Sequence, residues 1–308
     1  MNWFKRFSAG LAVLAMVVAA PAAAEQRHKP FVRGADAGAD LASAVAAVKR
    51  KLADGGFVVV GEYSPYGGTT IIAATSEALK KHAAASEYGG FGAAVRIGVT
   101  QARDGVQVAY TNPVYMAHAY RMQENLSDVR AALEKALGSR GEFGSEDGLT
   151  SEKLRKYHYK FLMPYFDDRL ELAEYPGFAA AVEAVETGLA KKAGGASKVY
   201  RIDIPGKEQV VFGVQLSGEG KDVPECSGDE YIMSRIDFKP VKSTPHLPYE
   251  LVVNGGKVVA LPAEFRIAIS FPDLSMMGSN SFASIMCAPG SIEEALAAAA
   301  GRQAEEED

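Results

Sequence analysis

Apolar positions along the chain follow two periods. Leu41, Val45, Val48 and Leu52 stand three or four apart, which predicts a helix with one apolar face, capped by Asp40 and stopped at Asp54-Gly55-Gly56. Phe57 to Val60 and Thr69 to Ala73 have the composition of buried strands around a turn at Ser64 to Gly68, and Thr75 or Ser76 caps a helix reaching Ala85. Ala93 to Val99 and Val106 to Tyr110 form a hairpin through Asp104-Gly105. Pro113 opens a helix through about Met122, and Leu126-Ser127-Asp128 caps another that ends at Gly138.

The rhythm breaks at the glycine-rich, charged stretch Ser139 to Gly148. Leu154, Tyr157, His158, Phe161, Leu162, Tyr165 and Phe166 then crowd a short helical segment, and a further helix spans Pro176 to Lys192. So many aromatics need a surface to pack on, so residues 139–197 are expected to be a helical connector docked on its neighbours, with ligand lining as the other use of the cluster. Beyond Lys198, strands are expected at Val199 to Ile204, Val210 to Leu216, Tyr231 to Phe238 and Phe265 to Ser270. Tyr249 to Val253 and Lys257 to Leu261 make a hairpin around Asn254-Gly255-Gly256. A helical stretch near Phe282 to Met286 and a helix from Ser291 complete this half.

The ends of the two halves look alike. Each carries a hairpin, a strand closing at a proline (Pro113, Pro272), a methionine soon after (Met116, Met276), a helix ending near a methionine (Met122, Met286) and a serine-capped last helix (Ser127, Ser291). This reads as a diverged tandem duplication. The runs AVAAVKRKLADGGFVVVGEY, GGFGAAVRIGVTQ and VAYTNPVYMAHAYRM resemble the bacterial domain-of-unknown-function family 302. HLPYELVVNGGKVVALPAEFRIAISFPDLSMMGSNSFASIM resembles a second, more divergent member. The resemblance implies an α+β fold: two related domains, each a curved antiparallel sheet with helices packed on one face, joined by the helical connector. It implies no activity and no catalytic residues, and it makes a monomer with a pseudo-dimeric core, or a homodimer, the expected assembly. The expected organisation is a signal peptide at 1–24, a flexible entry at 25–39, a first domain at 40–138, the connector at 139–197, a second domain at 198–298 and an acidic tail at 299–308.

The signal peptide rests on Lys5 and Arg6, an apolar run from Leu11 to Ala20 and the Ala22-Ala23-Ala24 cleavage pattern. It sends the protein to the periplasm or outside the cell, with no membrane span after cleavage. Composition fits a folded, soluble product: 48% hydrophobic and 23% charged residues over 308 positions, with a net charge of −5. That balance, without a basic run longer than Lys49-Arg50-Lys51, argues against nucleic acid as a partner. In an oxidising compartment Cys226 and Cys287 are a natural disulfide pair, with two buried free thiols, or one reactive Cys226 next to Asp229 and Glu230, as the alternatives.

No GxSxG, HExxH, CxxC or GxxxxGK[ST] signature is present, so no catalytic residue is assigned and the chain reads as a binder more than an enzyme. Two sets of candidate site residues remain. Arg96 and Arg266 occupy the same place in RIGV and RIAI, with Glu250 and Glu264 as carboxylates able to pair with the latter. As structure this is a salt bridge on a sheet face; as function it is an anion site between the domains, with Tyr63, Tyr66, Tyr110 and Tyr115 lining a cleft. The ligand would be a small molecule or a periplasmic protein. The alternative is Cu(I), held by His118 and Met122 four apart on one helix and by Met276 and Met286 of the second copy, with Met277 beside them. Core methionines filling gaps are the plainer reading, and no other cofactor is expected.

Overall fold

The structure, a computed structural model, describes residues 25–38 and 40–302; the expected signal peptide and the last six residues of the expected acidic tail lie outside the described residues. The elements in chain order begin with β1 (Arg27–His28), β2 (Phe31–Arg33), α1 (Leu41–Asp54), β3 (Val58–Tyr63), β4 (Thr69–Thr75), α2 (Glu77–Ala85), β5 (Val95–Ala102), β6 (Gly105–Thr111), α3 (Pro113–Ala119) and α4 (Ser127–Leu137). The connector contributes β7 (Glu142–Phe143), β8 (Leu149–Thr150), α5 (Ser151–Arg155), β9 (Leu170–Glu174) and α6 (Phe178–Ala190). Then come β10 (Ala196–Asp203), β11 (Gln209–Leu216), α7 (Asp229–Ile236), β12 (Tyr249–Asn254), β13 (Lys257–Ala260), α8 (Ala263–Ser270) and α9 (Ala288–Ala299).

Two open antiparallel sheets organise these elements. One has the order β3-β4-β5-β6-β2-β7 and the other β10-β11-β12-β13-β9, while β1 and β8 form a separate two-stranded ribbon. The fold class is thus α+β with antiparallel sheets that are not closed. The caps foreseen at two helix starts are made: the Asp40 carboxylate accepts from Ser43 N, and the Ser76 hydroxyl accepts from Leu79 N. In α1, Ala44, Val48 and Leu52 are buried, and the helix lies over β3 to β5 with α4 beside it. In the same way α6 lies over β10 to β13 with α9 beside it.

Once all strands are counted, the two stretches share one element order. From β2 the chain runs strand, helix, strand, strand, helix, hairpin, helix, helix; from β9 through α9 it runs the same sequence. The sheet orders also correspond, with β2 beside β6 and β9 beside β13. A single apolar core nevertheless runs from Val32 through Leu296, so the halves are not packed as independent bodies.

Several expectations are corrected. The entry segment is no loose lead-in: β2 sits between β6 and β7, and Phe31 and Val32 are fully buried. The connector is not purely helical, since it gives β7 to the first sheet and β9 to the second. Its aromatics divide, with Tyr157 and Phe166 buried while Phe161 lies in solvent next to an equally exposed Leu162. At the start of the expected tail, Ala299 and Ala300 are buried at the end of α9. Tyr231 to Phe238 and Phe265 to Ser270 are not strands; the chain forms α7 and α8 there. The predicted equivalence of Arg96 and Arg266 fails with them, because Arg96 is on β5 and Arg266 on α8. The chain order instead matches Pro113, opening α3, with Pro262, which caps α8.

Candidate functional site

Where the two sheets meet, glycines permit backbone contact. A Cβ at Gly61 on β3 would strike the Val199 carbonyl on β10, and one at Gly98 on β5 would strike the Thr244 side chain. The 3-10 turn Thr244–His246, just before β12, is thereby seated on β4, β5 and β6 of the other half.

This close approach buries three charges together. Glu250 on β12 pairs through one carboxylate oxygen with Arg96 and places the other 3.0 Å from Arg266 Nε. Arg96 Nε donates to Pro245 O at 3.0 Å, and Arg266 Nη2 donates to His246 O at 2.8 Å and Pro248 O at 3.0 Å. Burial pulls the Arg96 pKa down, but the Glu250 carboxylate together with Tyr120 and Tyr200 more than offsets it and the net shift is upward. His246 is held neutral: burial, then the charges of Arg266 and Arg96, push its pKa well below the usual value. Its ring bridges Ser270 Oγ at 3.0 Å and the Tyr249 hydroxyl at 3.2 Å.

Arg96, Glu250 and Arg266 are each at most 3% exposed, and their groups are turned on one another and on carbonyls. The structure thus brings Arg96 and Arg266 together, as a fastening within the seam; Glu264 forms no ion pair among the described residues. Tyr110 and Tyr115 are fully buried within the first half, where the Tyr110 hydroxyl donates to Gly138 O at 2.9 Å and that of Tyr115 has no partner. Tyr63 reaches across instead and donates to Asp229 Oδ2 at 2.9 Å.

The four methionine and histidine candidates are not gathered. The helix α3 stops at Ala119, and Arg121 turns the chain with φ of +50°, so His118 and Met122 do not share a helical face. Met122 is sealed against Gly92, His118 packs by His28 at 6.0 Å between ring centroids, and Met286 is 80% exposed. Met276 is exposed as well. Among the described residues no disulfide is present at bonding distance either. Cys226, buried, lies 3.5 Å from Ser291 Oγ, and Cys287, exposed, lies 3.6 Å from the Tyr231 hydroxyl. Burial, followed by the neighbouring Cys287 thiol, pushes the Cys226 thiol up.

A cleft of about 380 Å³ opens at the seam. Phe143 and Gly144, from the end of β7, form one wall; the chain after α7 and the chain after α8 form the others. The lining is mainly apolar, with Phe238 half exposed at one side and Phe271 buried. Asp237 supplies a carboxylate that accepts from Ser243 N at 3.0 and 3.1 Å. Burial pushes it up to about 6, against the pull of the Ser243 N–H and the Lys242 charge. Asp273 is held by Ser145 Oγ at 3.2 Å and Glu146 N at 2.6 Å, which ties the first half to the second across the cleft floor. Neither histidine nor cysteine lines it. A larger hollow of about 550 Å³ beside α9 is lined by the second half alone.

Sequence reasoning missed this cleft. Its one signal was the proline-punctuated run from Lys239 to Pro248, following an aromatic and an acid, Phe238 and Asp237. Comparison of the chain with protein families, with curated proteins and with solved structures found no match.

Proposed function

We propose that this chain is an exported, non-catalytic module made of two related units, which holds a small ligand in the seam cleft. The cleft carries this reading: it is concave, largely apolar, furnished with a few convergent polar groups and built from both halves, and its volume falls within the range of small-molecule sites. The matching element and strand orders support the two-unit origin, and the leader-like start supports a periplasmic or secreted location. A fused pair of family-302-like units acts as its own dimer, with the Arg96–Glu250–Arg266 cluster fastening the seam.

Native mass spectrometry of protein freshly isolated from the periplasm tests the reading, and bound copper would be read from the same spectrum. The expected result is a single small-molecule adduct per chain, lost in a Phe238→Asp variant whose side chain lies half in solvent. Protein that is retained in the cytoplasm, or that leaves the periplasm without an adduct, contradicts it.

A further inference from the structure

The matching halves pack reciprocally. The 3-10 turn Gly89–Gly92, just before β5, sits on β11 and β12, while Thr244–His246, just before β12, sits on β4 to β6. The corresponding edge strands β3 and β10 meet each other. Contacts of i with j answered by j with i are the mark of a two-fold interface.

An approximate two-fold gives every seam feature a counterpart. The open cleft lies between the C-terminal end of α7 and the chain following α8, bridged by Asn280 Nδ2 donating to Arg235 O at 2.6 Å. Its counterpart lies between the C-terminal end of α2 and the chain following α3, bridged by Gln123 N donating to Ser86 Oγ at 3.0 Å. Phe271 caps α8 as Tyr120 caps α3.

The two places differ in what fills them. At the counterpart, the chain's own connector is seated: the Phe166 ring lies 5.8 Å from Tyr120 and 6.2 Å from Phe91, edge-on to the latter. The Arg169 guanidinium stacks 3.8 Å over the Tyr88 ring, and Asp167 pairs with Arg121 at 2.8 Å. Aromatic ring and cation together occupy that side. On the other side the aromatic walls, Phe143, Phe238 and Phe271, enclose open space. The charged groups of the lining are Asp237 and Asp273 against Lys239, with Lys242, whose Nζ donates to Asp237 O at 2.7 Å, just outside it; the two carboxylates are what the cleft offers a cation.

We propose that the open cleft takes a small aromatic cation, a ring joined to an ammonium or guanidinium, which supplies there what Phe166 and Arg169 supply in the filled counterpart. The ring stacks among Phe238, Phe271 and Phe143, and the positive group faces Asp237. This rests on the small-ligand reading above and adds the ligand's chemical class.

Three probes separate the contributions: phenethylamine (ring and ammonium), 2-phenylethanol (ring alone) and n-butylamine (ammonium alone), each titrated into the full mature protein while backbone amide resonances are followed. Phenethylamine is expected to bind at least tenfold more tightly than either of the others and to shift the amides of Phe238, Ser243 and Asn280. Asp237→Asn, which keeps an acceptor for Ser243 N, is expected to erase the preference over 2-phenylethanol. Phe238→Ser weakens both ring probes about tenfold without touching the core. Equal affinity for phenethylamine and 2-phenylethanol overturns the cationic class and leaves the small-ligand reading standing. Shifts confined to other surfaces, or none at millimolar concentration, overturn both.

Discussion

Asp229 is buried at the first turn of α7, and its carboxylate takes a hydrogen bond from Tyr63 across the seam and one from Leu216 N at 3.4 Å. Its second oxygen has no partner among the described residues. Burial pushes this acid up to about 7, with the two hydrogen bonds pulling the other way. The folded chain therefore holds a proton here that the unfolded chain releases near pH 4. The stabilisation is complete below that point and is lost as pH rises through 7. An Asp229→Asn variant has nothing to titrate. Its stability relative to the parent is expected to rise between pH 4 and pH 8, with a pH-dependent part of roughly 4 kcal/mol, measured as the difference in urea unfolding free energies. A difference that is flat across this range rules out a proton held on Asp229. The histidines need not be separated from this effect, since they are common to both proteins. The charged cluster makes a complementary point about legibility. The sequence offers Glu250 and Glu264 as partners for Arg266, and Glu250 takes the role, because a charge buried alone costs far more than a buried pair. What could not be read was Arg96 joining the same carboxylate, which depends on two strands far apart in the chain meeting face to face.

Helices and hairpins with local punctuation were legible, and those without it were not. Asp40, Ser76 and Gly138 mark helix ends through groups adjacent in sequence, and Asp104-Gly105 and Gly255-Gly256 turn their hairpins. The helix α8 fails this test: Phe265, Ile267 and Ile269 alternate like a strand, yet every residue from Phe265 to Ser270 is buried, so no polar face betrays the helical period. The cleft is harder still, because its walls come from three separate loops with no period at all. Close approach of elements is testable by volume. Gly61→Ala drives a methyl group into the Val199 carbonyl of β10, backbone that has no rotamer to yield, and is expected to cost about 1–3 kcal/mol in urea unfolding. Gly67→Ala, with nothing within 4 Å of the added carbon, is the control and should be near neutral. Equal effects at the two sites would mean that β3 and β10 do not meet as described.

At the scale of the whole molecule, one apolar core spans both sheets, and strands from the entry segment and the connector complete them. Unfolding in urea is therefore expected as one transition, coincident by far-ultraviolet circular dichroism and by tyrosine fluorescence, and residues 25–138 alone are expected not to fold. Two separated transitions would instead show halves that are stable apart. The duplication expected from the sequence was aligned on the wrong proline: Pro272 lies beyond α8, whereas Pro262 opens it. The unequal filling of the seam has one more consequence. Identical subunits are bound to present identical hollows, so an assembly of two separate copies would accept its guests in pairs or not at all. A continuous polypeptide escapes that rule: with Phe166 and Arg169 lodged on one side, the proposed ligand reading leaves room for one guest per chain.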